Sequence, residues 1–248
     1  MPERWNFYFC NVNGSLASIF LNLGLANEAP IQSKPKLLWV WIHFNSPRTD
    51  GLSSSEEAPK LNEIEDAISK QILGSCDALL AGRITTLGRR ELYFYAERIG
   101  KFEEIARAAL AEFADYKFDL GQREDREWKQ YLEVLYPSPE DLQRMGNRDV
   151  LEALGKHGDV PHIPRTVEHW LFFRDPENRS ACRDALVSMG FTLESEYEVE
   201  GESPHALAIS RIQSIEGTLI DQTSIDLMNL AQRFDGDYDG WEAQATTE

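Results

Sequence analysis

Cysteine is scarce in this chain of 248 residues: Cys10, Cys76 and Cys182 stand far apart. That spacing excludes a disulfide framework or a cysteine metal cluster and leaves free buried thiols in a reducing cytosol as the expectation. Long apolar runs are missing too. The longest is Leu37–Ile42, continued past His43 by Phe44, far short of the roughly 20 residues that span a bilayer. The opening Met1-Pro-Glu-Arg-Trp5 has no basic stretch leading into an apolar one, so no secretory signal is expected and the reading is cytoplasmic. Gly-x-Ser-x-Gly, His-Glu-x-x-His and a glycine-rich loop opening a helix are all absent; these would place a nucleophile, a zinc ion or a phosphate. His157, His162, His169 and His205 have no ligand spacing, and His169, on an apolar strand face, reads as a hydrogen-bonded core residue. No cofactor, no metal and no catalytic residue are expected.

Basic side chains are the other deficit, 25 Lys and Arg against 42 Asp and Glu for a net charge of −17. Residues 1–137 hold 16 against 20, whereas residues 138–248 hold 9 against 22. Acidity therefore concentrates in the second half. Nucleic acid is not expected as a direct partner, because its phosphates would be repelled. Arg83, Arg89 and Arg90 form a basic cluster in the first half, with Arg83 placed to pair with Glu91 across a hairpin. A basic protein surface is the natural partner, although plain solubility also accounts for such charge.

What is present is the content of a folded globular protein, 42% hydrophobic and 10% aromatic residues. Trp5–Val12 and Ser15–Leu23, joined by Asn13-Gly14, read as a hairpin. Leu37–Phe44 is apolar on both faces, as in a central strand. Leu61, Ile64, Ala67, Ile68 and Ile72 mark a helix; Asp77–Thr86 and Glu91–Ala96 are strands; Phe102 to Phe113 is a second helix. Lys117–Gly121 and Trp128–Tyr136 read as further strands.

Pro137-Ser-Pro-Glu-Asp141 is the domain boundary, giving domains 1–137 and 138–248, and Ser138 is placed to cap a short helix before a second one at Arg148–Lys156. Strand Thr166–Arg174, a helix opened by Pro176, strands Phe191–Glu200 and Ala206–Ile215, and a last helix and strand then repeat the first-half order. The last helix carries Ile220, Leu227, Ala231 and Phe234 on one face, with Thr218 as its cap and Gly236 as its stop. The fold class is α+β: two tandem ferredoxin-like α/β sandwich domains, each a split βαβ arrangement with an antiparallel sheet.

Two stretches could form a binding surface. Glu194, Glu196, Glu198 and Glu200 alternate along a strand, so all four carboxylates are expected on one face; this is either a charged, aggregation-resistant edge or an acidic docking surface. In Asp237-Tyr-Asp-Gly-Trp241, alternation puts Asp237, Asp239 and Trp241 on one face and Tyr238 on the other. That motif is either a packed aromatic with a capped turn or a hot spot of the kind Tyr and Trp supply. Its two aspartates lack the further oxygen ligands of a calcium loop.

Leu219-Ile-Asp-Gln-Thr-Ser-Ile-Asp-Leu-Met-Asn-Leu-Ala-Gln-Arg-Phe-Asp-Gly-Asp-Tyr-Asp-Gly-Trp-Glu242 resembles the C-terminal signature of the RraB family, protein inhibitors of ribonuclease E. Arg165-Thr-Val-Glu-His-Trp-Leu-Phe-Phe173 is similar to that family's first core strand. The resemblance spans about residues 145–246 and implies a non-catalytic regulator that binds an endoribonuclease. Gly82-Arg-Ile-Thr-Thr-Leu-Gly-Arg-Arg-Glu-Leu-Tyr-Phe-Tyr-Ala-Glu97 resembles an uncharacterised domain-of-unknown-function family, number 695, which implies no activity. The competing reading is an enzyme or small-ligand binder with a cleft between the domains, lined by Trp170, Arg89 and Asp239. A homodimer through exposed sheet edges is left open.

Overall fold

In the computed structural model, residues 3–12 and 14–247 are described, and the chain divides into two units, residues 1–141 and 142–248. The first is organised around β3 (Lys36–His43), which pairs antiparallel on both sides, with β5 (Arg89–Ala96) and β6 (Lys117–Glu124). Leu38, Val40 and Ile42 point from β3 into a core closed by α1 (Ala58–Ser75) and α2 (Phe102–Leu110). The helix face is the one the spacing requires, with Leu61, Ile64, Ile68 and Ile72 fully buried. With β1 (Trp5–Val12), β2 (Ser15–Asn22) and β4 (Ala78–Thr86), the sheet order is β1-β2-β4-β5-β3-β6. Behind the leading hairpin this is the ferredoxin-like βαββαβ order. Val12 pairs with Ser15, leaving a two-residue turn in which Gly14 has φ +83°; Asn13 lies outside the described residues.

Two expectations for this unit fail. Trp128–Tyr136 is not a strand: its buried side chains, Trp128, Tyr131 and Leu135, are three and four residues apart, and Gln130–Leu135 forms a π-helical turn. It covers the sheet face opposite the helices. Trp128 stacks on Tyr95 with ring centroids 3.9 Å apart, and its Nε1 donates to the Lys34 carbonyl at 2.9 Å. The Asp125 carboxylate accepts the Tyr95 hydroxyl at 2.6 Å and the Lys129 and Gln130 amides at 3.0 Å, holding the turn in place. Arg83 does not pair with Glu91. Its register partner is Leu92, so it lies on the helix face, where it meets Glu65 at 2.6 Å; Arg90 meets Glu65 at 2.8 Å and Arg89 meets Glu91 at 2.5 Å. Each arginine of the basic cluster is thus ion-paired within the unit, Arg83 and Arg90 sharing Glu65.

The second unit repeats the order with β7 (Arg165–Phe173), α4 (Pro176–Ser188), β8 (Thr192–Glu198), β9 (His205–Gln213), α5 (Gly217–Arg233) and β10 (Gly236–Ala243), in sheet order β10-β7-β9-β8, all antiparallel. One continuous helix, α3 (Pro139–Gly155), precedes it in place of the expected two. Ser138 does cap it, its Oγ accepting the Asp141 amide at 3.1 Å.

Inside, Asn147 on α3 uses its whole amide: Nδ2 donates to Asp221 (2.7 Å) and Ser224 (2.8 Å) on α5, and Oδ1 accepts from Gln143 and from Trp241 Nε1, both at 2.8 Å. These bonds tie α3, α5 and β10 together. Thr218 is not the cap of α5, which starts one residue earlier with Glu216 in the cap position and no side-chain cap bond. Nor does Gly236 stop the helix. Asp235 takes the left-handed turn at φ +50°, while Gly236 begins β10, where a Cβ would sit 2.4 Å from the Phe173 ring.

His169 is fully buried and hydrogen-bonded through Nδ1 to the Tyr238 hydroxyl at 2.9 Å. Burial, helped by nearby Arg211, holds its pKa down to about 3. The unfolded chain binds that proton near pH 6.5, so stability is full above about 6.5 and declines toward 3, at roughly 1.4 kcal/mol per pH unit for one proton. In urea titrations, His169→Gln is expected to show a flatter stability profile than the wild type between about pH 5 and 6.5. Trp128→Ala is expected to cost about 3–5 kcal/mol by cavity formation. Gly236→Ala should cost about 1–3 kcal/mol by overpacking against Phe173.

Candidate protein-docking surface

The placement of the terminal motif turns on one residue. In β10, Tyr238 pairs with Leu171 and Gly240 with Trp170, so Asp239 is an extra, bulged residue. Gly240 accommodates the distortion at φ +138°, a conformation that costs glycine little. The bulge shifts the phase by one, and strict alternation fails. Tyr238 and Trp241 share the inner face, packed on separate core clusters, and Trp241 is 8% exposed. Asp237 and Asp239 remain at the surface; Asp237 accepts a bond from Ser203 at 3.3 Å. A glycine between Asp239 and Trp241 was the signal for this shift in the sequence.

The carboxylate ladder is also divided. β8 is the edge strand and every residue in it is exposed, but a second bulge, between Leu193 and Ser195, displaces Glu194. Glu194 accepts a bond from Ser210 Oγ at 2.5 Å on the outer face. Glu196 and Glu198 lie on the side of α4: Glu196 pairs with Arg183 at 3.1 Å and Arg179 at 3.7 Å, and Glu198 with Arg179 at 3.1 Å and His205 at 2.7 Å. The bond from His205, with Arg179 adding to it, holds the Glu198 carboxyl below the usual carboxylate range. Glu200 follows the strand in an exposed bend. Four carboxylates on one free face are therefore not formed. Arg179 and Arg183, four apart on α4, were the missed signal.

The face of this sheet turned away from α3, α4 and α5 has a different character. Trp170 and Phe172 stand half-buried on the inner strand β7. In register beside them are Gly240 and Asp237 on β10 and Ala208 and Ala206 on β9. Tyr197, 39% exposed, and Ile212, 74% exposed, extend the apolar surface. Glu168 and Glu242 are direct cross-strand partners, and among the described residues neither has an ion pair. Both line a depression of about 620 Å³ with Arg165, Thr166 and the chain after β10. Arg165 is 8% exposed and turned away: it is held by Asp159, by the Val160 carbonyl, and by the carbonyls of Ile163 (3.1 Å) and Gln244 (3.3 Å).

The remaining candidates fall elsewhere. Arg89 is engaged with Glu91 in the first unit, stacked over Trp41 at 4.2 Å. Among the described residues no group of three or more His, Cys, Asp or Glu is arranged to hold a metal ion, and no helix is long and apolar enough to cross a membrane. Of the three free cysteines only Cys182 is fully buried, and burial pushes its thiol up to about 12.

A family model described as a family of unknown function (DUF695) matches residues 3–136, and one described as regulator of ribonuclease activity B matches residues 144–243. The regulator of ribonuclease activity B of Escherichia coli (strain K12) is 32% identical over 109 residues, which cover 42% of this chain and 79% of that protein. Its Salmonella typhi counterpart is 31% identical over 102 residues, covering 40% and 74%, and that of Sodalis glossinidius 30% over 105 residues, covering 41% and 71%. Among solved structures, a putative glycine cleavage system transcriptional repressor aligns over 84% of this chain and 98% of its own at 11% identity, with a TM-score of 0.25, too low to carry an argument. The chain belongs to the family of unknown function DUF695 in residues 3–136 and to the regulator of ribonuclease activity B family in residues 144–243.

Proposed function

We propose that this protein regulates ribonuclease activity by binding a protein of the RNA-degrading machinery, an endoribonuclease in the first instance, and performs no chemistry itself. Family membership of residues 144–243 carries the reading, since the relatives there are named regulators of ribonuclease activity. Physical features support it. The unit is strongly acidic, 9 Lys and Arg against 22 Asp and Glu over residues 138–248, which favours a basic protein surface over RNA. His169 and Tyr238, side chains with acid–base potential, are engaged with each other, the first fully buried and the second partly buried against the core. Of the motif residues, Asp237, Asp239, Glu194 and Glu200 are the ones proposed to meet the partner. Tyr238 and Trp241 hold the sheet that presents them, while Glu196 and Glu198 are turned toward α4 and engaged by Arg179, Arg183 and His205, so they are not assigned to the partner.

The test is the initial rate at which a purified endoribonuclease, from the same cells as this protein, cleaves a labelled RNA with increasing amounts of the full chain. A saturable change in rate, with a complex detectable by sedimentation and weakened between about 0.05 and 0.5 M salt, is expected. An unchanged rate at excess protein, with no complex, would overturn the reading. Asp239→Ala should leave stability within about 0.5 kcal/mol of the wild type, whereas Trp241→Ala should cost about 3–5 kcal/mol; thermal melts separate the surface residue from the core one.

A further inference from the structure

We infer that the outer face of the β10-β7-β9-β8 sheet is the docking surface and that its occupant is an extended, arginine- or lysine-bearing segment of a partner protein. This rests on the regulator reading above. Three features single out the face. All three helices of the unit pack on the opposite side, through Asn147, Cys182, Leu186, Leu227 and Ala231, so none of them lies over the face. Trp170 and Phe172 stand half-buried in register with small residues, Gly240, Ala208 and Ala206; the two alanines are themselves 4% and 0% exposed, so the aromatic rings supply the contact area. The third feature is unbalanced charge. Like charges placed directly across strands destabilise a sheet, yet Glu168 and Glu242 face each other and, among the described residues, neither has an ion pair, the nearby Arg165 being held by Asp159. Glu194, Asp237 and Asp239 add to the deficit. Arg174, at one end, is 4.0 Å from Glu202.

Those features also choose the occupant. Aromatic faces attract guanidinium and ammonium groups, and carboxylate pairs accept a guanidinium through two hydrogen bonds. A second copy of this chain would set the same carboxylates against each other. Nucleic acid and anionic lipid surfaces would be repelled.

The experiment titrates the isotopically labelled full chain with a synthetic peptide of four Arg-Val repeats, and separately with its Gln-Val counterpart, following backbone amide shifts and heat of binding. The Arg-Val peptide should shift amides of β7, β9 and β10, with the Gln-Val peptide at least about tenfold weaker. Trp170→Ala and Ile212→Ser, neither of which alters charge, should each weaken the Arg-Val peptide several-fold; Ile212 is 74% exposed, so its replacement spares the fold. Glu242→Lys should lower affinity at least about tenfold while raising Tm by roughly 1–4 °C, because it relieves the Glu168 repulsion. A stabler protein that binds worse cannot be a misfolded one. Unchanged affinity in Trp170→Ala and Ile212→Ser, amide shifts centred on β8 and α4, or a concentration-dependent dimer that masks the face would overturn the inference. The same variants belong in the RNA-cleavage assay. If they change the rate as the wild type does, the face is wrong while the regulator reading stands. If the wild type leaves cleavage unchanged but binds the peptide on this face, the regulator reading fails and the face stands.

Discussion

Pairing between β10 and β7 accommodates one residue fewer than β10 supplies between Tyr238 and Trp241, and the surplus residue is Asp239. A strand has a period of two, so a one-residue shift exchanges inside for outside. The bulge turns Trp241 inward, where its indole nitrogen reaches the Asn147 amide that also binds α5. Without the shift, α3 would lose its hydrogen bond to the sheet and a large aromatic would lie on the outer face. The core of the second unit and the character of its open face thus share one cause.

Buried polar groups in both units act as fasteners. Asp125 in the first satisfies a tyrosine hydroxyl and two amides, fixing the π-helical turn over the sheet. Asn147 in the second leaves no donor or acceptor of its amide idle. Each specifies one arrangement, because an unsatisfied buried polar atom would cost about 1–3 kcal/mol. Charge is handled differently at different depths. Arginines pair with the buried Glu65 and Glu91 and with Glu196 and Glu198 on the edge strand, whereas among the described residues Glu168 and Glu242 on the outer sheet face have no ion pair.

The order of elements was legible because it rests on local periodicity. The spacing of Leu61, Ile64, Ile68 and Ile72 fits a helix face, and the apolar run Leu37–Phe44 fits a central strand, paired on both edges with Leu38, Val40 and Ile42 fully buried. Trp128–Tyr136 was misread because a short aromatic run suits either period; only the sheet beneath it, with Tyr95 offering a stacking partner, selects the helical one. The glutamate ladder was misread for a different reason. Alternation gives faces only where pairing is unbroken, and the bulge at Glu194 and the arginines of α4 come from pairing and packing.

The sequence by itself determined the fold class, the two-part organisation, the concentration of acid in the second half and the family memberships, all of which follow from composition, period and motif. Tertiary structure decided which side chains are available at the surface. Availability depends on register, and register depends on partners far away in the chain: Leu171 and Trp170 for the bulge in β10, Arg179 and Arg183 for the ladder, Asn147 for Trp241. No local pattern encodes those distances, because the hydrogen bonds that set them form only when the sheet closes.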